Sequence, residues 1–310
     1  MPLVETSSSS RDLGVGGTPL MDMGWLSKSL SPAVRLLAKA EWRNPGGSVK
    51  DRPALRIVRE AERAGRLKPG SILIDATSGN TGIAYSWIGA RLGYRVKLAV
   101  PASASRERLA ILEALGADLV LTDSLEGTDG AIREARRWLD NDPEGFFYAD
   151  QYNNDANWRA HYDTTAPEIM EQTEGDVTHF VAGLGTGGTF TGTGRRLREL
   201  KPSVKLCSVE PDAAFHGIEG LKHMASSIVP GVYDPELADE RASVDTESAY
   251  AVCRRAARER GTLIGPSGGA NLLASLRLAE ALSQRGESAL VVTILPDSGE
   301  RYVSEGFWKP

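Results

Sequence analysis

The chain has 310 residues, 41% of them hydrophobic and 25% charged, close to globular averages, which excludes a disordered segment, a collagen-like fibre and a disulfide-stapled miniprotein. Its 36 Lys and Arg against 41 Asp and Glu give a net charge of −5, so no general field draws a polyanion, and at ~150 residues per domain the length predicts about two domains. Glycine is the one departure from the average: 33 residues, about 11% against a usual ~7%, which asks where the backbone must bend or approach a ligand.

From the N-terminus, residues 1–17 are rich in Ser and Gly and lack the apolar stretch of a secretory leader, and no run of 18 apolar residues follows. A cytoplasmic protein without membrane or nucleic-acid partners is expected. Short apolar runs at 34–40, 71–75, 95–100, 118–121, 177–182, 204–209 and 289–295 read as strands. Helical spacing fills the gaps at 53–64, 126–140, 246–260 and 271–285. In the first of these, Ala54, Ile57, Val58, Ala61 and Ala64 share one face, Pro53 suits the first turn and Gly65 closes it. The alternation predicts an α/β fold with a largely parallel sheet. The polar run 150–155 suggests a boundary between an N-terminal α/β domain, 40–150, and a second formed by 1–39 plus 151–310, with the N-terminal arm crossing to pack on the other body.

Arg195, Arg196, Arg198 and Lys201 alternate with Leu197 and Leu200, the pattern of one helix's solvated face. Cys207 and Cys253 lie in separate segments, and His161, His179, His216 and His223 show no zinc-ligand spacing, so no metal site is expected. The Phe307-Trp308 pair near the C-terminus has no assigned task.

Three loops follow strands and open helices. The first is Thr77-Ser78-Gly79-Asn80-Thr81-Gly82, whose small and hydroxylated residues at a helix start suit an anion. The second, Gly183-Leu-Gly185-Thr186-Gly187-Gly188-Thr189, satisfies the dinucleotide pattern G-x-G-x-x-G, with Glu210 at the distance of a ribose-binding acid. Its threonines suit a phosphate monoester equally, so the loop alone leaves NAD and other phosphorylated cofactors open. The third, Gly265-Pro-Ser267-Gly-Gly-Ala270, reads either as a simple cap before a helix from Asn271 or as a further polar anchor. Lys50 follows Asn44-Pro-Gly-Gly-Ser-Val at the start of a helix, where the positive helix end disfavours an ammonium and leaves a neutral amine for Schiff-base chemistry; an exposed lysine beside Asp51 is the alternative.

Asn44-Pro-Gly-Gly-Ser-Val-Lys-Asp-Arg52 resembles the lysine motif of the cysteine synthase and cystathionine β-synthase family. Thr77 to Gly82 is similar to that family's substrate-carboxylate loop, Gly185 to Thr189 to its cofactor-phosphate loop, and Asp297-Ser-Gly-Glu-Arg-Tyr302 to a signature of its cysteine synthases. The motifs keep the family's order from Gly17-Thr-Pro-Leu20 to Tyr302, and 216–233 looks more like the B-type than the A-type branch.

The resemblance implies fold type II: two open twisted α/β domains with pyridoxal 5'-phosphate between them, usually as a homodimer. By resemblance, Lys50 carries the cofactor and moves the substrate's α-proton. Asn80 bonds its 3-hydroxyl oxygen, and Gly185, Thr186, Gly187, Gly188 and Thr189 hold its phosphate. Ser267 faces its ring nitrogen, while Thr77, Ser78, Gly79, Thr81 and Gln151 grip the substrate carboxylate. The sequence departs from the family at Pro266, Gly268 and Gly269 but keeps Ser267.

The implied reaction is β-replacement on an activated serine: O-acetyl-L-serine and sulfide, or another donor such as thiosulfate, give L-cysteine through an aminoacrylate. Carboxylate binding is expected to draw a mobile part, about 95–139, over the site. Asp212 after Glu210-Pro211, where O-phosphoserine enzymes usually carry Arg, favours O-acetylserine, while His216, Lys222 and His223 keep an anionic donor open. The competing readings are an O-phosphoserine sulfhydrylase, a cystathionine β-synthase-like enzyme, an NAD-dependent oxidoreductase and a non-catalytic binding module. A serine acetyltransferase or a sulfur-carrier protein would be the partner.

Overall fold

The computed structural model describes residues 13–77 and 79–309. In chain order it places β1 (Leu20–Asp22), β2 (Val34–Ala40), α1 (Asp51–Arg63), β3 (Ile72–Ala76), α2 (Asn80–Leu92), β4 (Arg95–Pro101), α3 (Arg106–Ala114) and β5 (Asp118–Thr122). There follow α4 (Gly127–Asn141), β6 (Phe146–Tyr148), α5 (Ala156–Asp163), α6 (Thr165–Gln172), β7 (His179–Gly183), α7 (Gly188–Leu200) and β8 (Lys205–Pro211). The chain closes with β9 (Glu240–Val244), α8 (Thr246–Arg260), α9 (Pro266–Gln284) and β10 (Ala289–Leu295).

Two sheets result. The six-stranded one runs β1-β2-β10-β7-β8-β9 and the four-stranded one β5-β4-β3-β6. Every pairing is parallel except β1 with β2. Parallel strands covered on both faces read as unbroken apolar runs, and β10, Ala-Leu-Val-Val-Thr-Ile-Leu, is buried at every residue. Its odd and even side chains feed different cores: Val291 packs with Leu36, Val181 and Leu272, and Val292 with Leu37, Phe180 and Phe190. The smaller sheet divides in the same way, Leu73 and Leu98 toward Ile83 and Ile88, Ile74 and Ala99 toward Ala131 and Ala135. The expected α/β class is therefore the observed one.

Several boundaries differ from the sequence reading. α2 opens at Asn80 rather than after the loop, and α9 opens at Pro266 rather than Asn271, so Ser267 lies in a helical first turn. β7 begins at His179, two residues later than the apolar run. β1, β6 and β9 went unread. The basic run behaves as a solvated face: Arg195 pairs with Asp234, Arg196 with Glu199 and Arg198 with Asp239. In the N-terminal arm, Leu13 and Val15 pack on the core of the four-stranded sheet, while Leu20–Asp22 joins the six-stranded one. At the other end Phe307 stacks on Tyr250 at 4.2 Å, and Trp308 donates to the Tyr302 carbonyl at 2.7 Å. No helix among the described residues is long and apolar enough to cross a membrane.

A buried ionic cluster anchors α1. Arg52 reaches Glu41, just past β2, at 2.7 Å and Glu168 of α6 at 2.7 Å; Lys39 also meets Glu168 at 2.7 Å, and Thr18 donates to Glu41 at 2.6 Å. Burial would raise the Glu41 carboxyl, but the Arg52 guanidinium and hydrogen bonds hold it below the usual carboxylate range. Removing one partner of such a cluster strands a charge in low dielectric. Arg52→Ala is expected to cost about 3–5 kcal/mol in urea unfolding, and a loss under ~1 kcal/mol would contradict this account.

Candidate active site

Lys50 is the residue immediately before α1, in helical conformation, and its N–H donates to Ser48 Oγ at 3.2 Å. The segment is fastened to the distant end of β10: Ser48 forms an antiparallel bridge with Asp297, and Val49 N donates to the Pro296 carbonyl at 2.8 Å. On its other side the Asp51 carboxylate accepts from Gly46 N at 2.5 Å and from Trp87 Nε1 at 3.2 Å. The Lys50 amine has no hydrogen-bond partner among the described residues. Burial lowers it from the usual lysine value, opposed by the charges of Asp297 and Glu41. A lysine whose ammonium is disfavoured relative to a free side chain and whose amine has no fixed partner among the described residues has the properties of a Schiff-base nucleophile.

The first loop turns on Thr77, whose hydroxyl accepts from Gly79 N at 3.0 Å and Gly82 N at 3.2 Å and still has its own proton to donate. Thr81 donates to Gln151 Oε1 at 2.7 Å, and Gln151 Nε2 donates to the Ala76 carbonyl at 2.8 Å. Thr81 has thus spent its proton on Gln151, and the Thr77 hydroxyl proton, the second amide N–H of Gln151 and the backbone N–H groups of Asn80 and Thr81 are what remains there to receive an anion. Ser78 lies outside the described residues.

The second loop is a cradle for a larger anion. The backbone N–H groups of Gly185, Thr186 and Gly187 have no acceptor among the described residues, and they lead directly into the N-terminus of α7. Gly187 takes φ +85°, and a Cβ at Gly185 would stand 2.3 Å from the Gly220 carbonyl oxygen, so glycine is what lets the loop turn and pass this close to the segment at Gly220. Gly188 N donates to the Thr186 hydroxyl at 3.2 Å, and the Thr189 hydroxyl meets His161 Nε2 at 3.2 Å. Burial and the Arg52 charge hold His161 down to about 3, so it stands as a neutral ring between Thr189 and Thr165. Glu210, the acid a dinucleotide would need for its ribose, accepts instead from Met224 N at 3.0 Å.

These loops close into one ring of contacts. Thr81 bonds Gln151; the Gln151 carbonyl accepts from Asn157 Nδ2 at 2.6 Å; Asn157 Nδ2 also reaches Thr186 Oγ1 at 3.0 Å. Gly185 touches Gly220, whose added Cβ would lie 3.7 Å from Ser267 Oγ. Ser267 is 4% exposed, and its hydroxyl has no partner among the described residues. From Gly265 the ring passes to Asp297, and Asp297 Oδ2 accepts from Asn80 Nδ2 at 2.6 Å. Along this ring of contacts stand an amine, a set of open backbone N–H groups and a hydroxyl, none with a partner among the described residues, and this set fits the aldehyde, phosphate and ring nitrogen of pyridoxal phosphate.

Sequence reasoning gave no role to Asn157 or His161, quoted Asp297 only as part of a signature, and named Lys222 only as a possible anion partner; the contacts of Arg108, Glu219 and Asp129 left no local mark. Arg108 of α3 crosses the first loop, its Cδ 2.3 Å from where a Cβ on Gly79 would sit, and pairs with Glu219. With opposite polarity, Lys222 meets Asp129 of α4 at 3.1 Å. Ser304 N and Oγ donate to Glu107 at 2.7 and 2.8 Å.

Beneath the substrate loop Asp75 is wholly buried and accepts from Ala76 N at 2.8 Å and Gln151 N at 3.3 Å. Burial outweighs those bonds and raises its carboxyl to about 8 from an ordinary 3.8. The folded state then holds a proton that the unfolded chain has lost, so this stabilisation is full below about pH 4 and disappears as pH rises through about 8. Asp75→Asn should gain stability relative to the parent progressively from about pH 4 to about pH 8, and keep that gain above it, in denaturation series. A difference independent of pH would refute the assignment.

The sequence matches the family described as "Pyridoxal-phosphate dependent enzyme" over residues 11–297. It is 50% identical over 291 residues to a cysteine synthase of Aquifex aeolicus, covering 94% of this chain and 89% of the relative. It is 40% identical over 298 residues to cysteine synthase B of Escherichia coli, covering 96% and 95%. The solved structure of O-acetyl serine sulfhydrylase isoform 3 from Entamoeba histolytica superposes with a TM-score of 0.90 at 37% identity, over 100% of this chain and 94% of that one. With the match spanning both sheets and all the loops of the cleft, the chain belongs to the pyridoxal-phosphate dependent enzyme family.

Proposed function

We propose that the chain is a cysteine synthase, converting O-acetyl-L-serine and sulfide to L-cysteine and acetate. The observation that carries the reading is the buried Lys50 amine, without a hydrogen-bond partner among the described residues, in a chain 50% identical to a cysteine synthase. In this reading 40–150 and the remainder act as two domains, with the site residues contributed by both.

Lys50 carries the cofactor, the N–H groups of Gly185 to Gly187 and the start of α7, with Thr186 and Thr189, take its phosphate, and Asn80 meets its 3-hydroxyl oxygen. When bound, the cofactor supplies an electron sink for the charge left as the substrate's α-proton departs. The Ser267 hydroxyl, a neutral partner for the ring nitrogen, does not enforce a protonated ring, which favours β-elimination over transamination. The Thr77 hydroxyl, the open N–H groups of α2 and the Thr81–Gln151 pair orient the substrate carboxylate, together with Ser78 and Gly79. Lys50 Nζ, released when the substrate's own amine takes its place, would remove the Cα proton as acetate leaves Cβ; sulfide then adds at Cβ, and Lys50 Nζ returns a proton to Cα.

An uncharged ester on the substrate side chain, rather than a phosphate monoester, follows from the charges near the site. Lys222, the buried cation of the segment after β8, is committed to Asp129, and Asp212 follows Pro211. Cysteine should form from O-acetylserine and sulfide, and with O-phosphoserine at least about tenfold more slowly. Equal or faster turnover of O-phosphoserine would overturn the choice of donor. Thiosulfate and a sulfur-carrier protein are alternative sulfur sources within the same reading, as are a homodimer and a serine acetyltransferase complex.

The Arg108–Glu219 and Lys222–Asp129 pairs, with Glu107 on Ser304, tie the 95–139 segment across the cleft. In this reading they keep water away while Cβ is reactive. Glu219→Gln should raise sulfide-independent release of pyruvate severalfold while lowering kcat for cysteine. An unchanged ratio of the two products would contradict the sealing role.

A further inference from the structure

We propose that Asp297, together with Arg301, is a positioning residue that fixes the side-chain amide of Asn80 with its nitrogen toward the cofactor. The proposal rests on the site reading above and deepens it.

An asparagine amide has two nearly isosteric ends, and only its partners decide which end faces a ligand. Here the partners leave no choice. Asn80 Nδ2 donates to Asp297 Oδ2 at 2.6 Å, and Arg301 Nη1 donates to Asn80 Oδ1. A guanidinium has no acceptor, so it can hold only the oxygen end. Asp297 Oδ2 already serves as acceptor to the Tyr302 hydroxyl at 2.6 Å, so it holds the nitrogen end. With the oxygen and one N–H engaged, the second N–H of Asn80 remains, and it has no partner among the described residues. A donor is what an oxygen with phenolate character on a bound ring requires; the reversed amide would present lone pair to lone pair.

Asp297 is itself held in place rather than free to follow Asn80. It is fully buried, its backbone bridges Ser48, and its carbonyl accepts from Gly265 N at 3.3 Å. Oδ1 has no hydrogen-bond partner among the described residues and lies at the N-terminus of α9, where a Cβ on Gly265 would come within 2.0 Å of it. Arg301 is likewise tied, its other nitrogen donating to the Gly46 carbonyl. The clamp thus joins the lysine loop, the first turn of α2 and the end of β10 at one amide. The charged and titratable groups facing Asp297 are Lys50 from the lysine loop, Arg108 from α3, Glu219 from the segment after β8, Cys253 from α8 and Tyr302.

Stitching alone would also explain a buried network, so the test must read the cofactor. The cofactor-loaded parent, Asn80→Ala, Asp297→Ala, the double variant and Tyr302→Phe are compared in two measurements: the pH titration of the visible absorption band, and cofactor retention on dialysis. Asp297→Ala should move the titration midpoint in the same direction as Asn80→Ala and weaken retention about tenfold. The double variant should match Asn80→Ala, because a residue acting through another adds nothing once that one is gone. A parental band profile in Asp297→Ala, or additive effects in the double variant, overturns the proposal. If Asp297→Ala does not fold, Tyr302→Phe, which removes only one support of Asp297, decides: a smaller shift of the same sign supports the clamp, and the parental profile overturns it. Absence of the band from the loaded parent would instead strike the proposed function itself.

Discussion

The site depends on one short stretch of backbone pairing, the bridge between Ser48 and Asp297 with the bond from Val49 N to the Pro296 carbonyl. It joins residues about 250 apart in sequence and brings the start of α1 to the end of the central strand β10. The same corner receives Asn80 from α2 and, through the Ile264–Ser298 bridge, the start of α9. Four helix N-termini therefore meet around one site: α1 begins just after Lys50, α2 and α7 offer open N–H groups, and α9 begins behind Asp297 and carries Ser267. Their dipoles favour negative charge, which suits a ligand carrying both a phosphate and a carboxylate.

That arrangement explains why the lysine must be held down from the other side. Lys50 sits at the positive end of α1 in surroundings that disfavour an ammonium, while Arg52, two residues on, is locked to Glu41 and Glu168. Arg52 thus spends its charge on fixing the helix, and Lys50 keeps its amine for chemistry. A motif with two cations so close together divides the tasks by burial and partner, not by charge.

Much of this was legible in the sequence, for identifiable reasons. Buried parallel strands such as β2 and β10 announce themselves as apolar runs, and both were read to the residue. The three-residue strands β1 and β6 are too short to show a period, and β9, Glu-Arg-Ala-Ser-Val, is mostly solvated. The helix starts at Asn80 and Pro266 were placed late because Gly, Ser and Asn are poor helix formers locally, and tertiary packing overrides them. The glycine loops and Lys50 were visible as local motifs. Asn157 and Glu219 were not, since nothing local marks a residue whose role is a contact across the cleft.

The central claim is that one cofactor occupies this cleft through Lys50. Borohydride reduction of the pyridoxal-phosphate-loaded protein, followed by peptide mapping, tests it most directly. The account requires a reduced pyridoxyl mass on the peptide containing Lys50 and on no other, and no label in Lys50→Ala. Label on a different lysine, or none in the loaded parent, would contradict it.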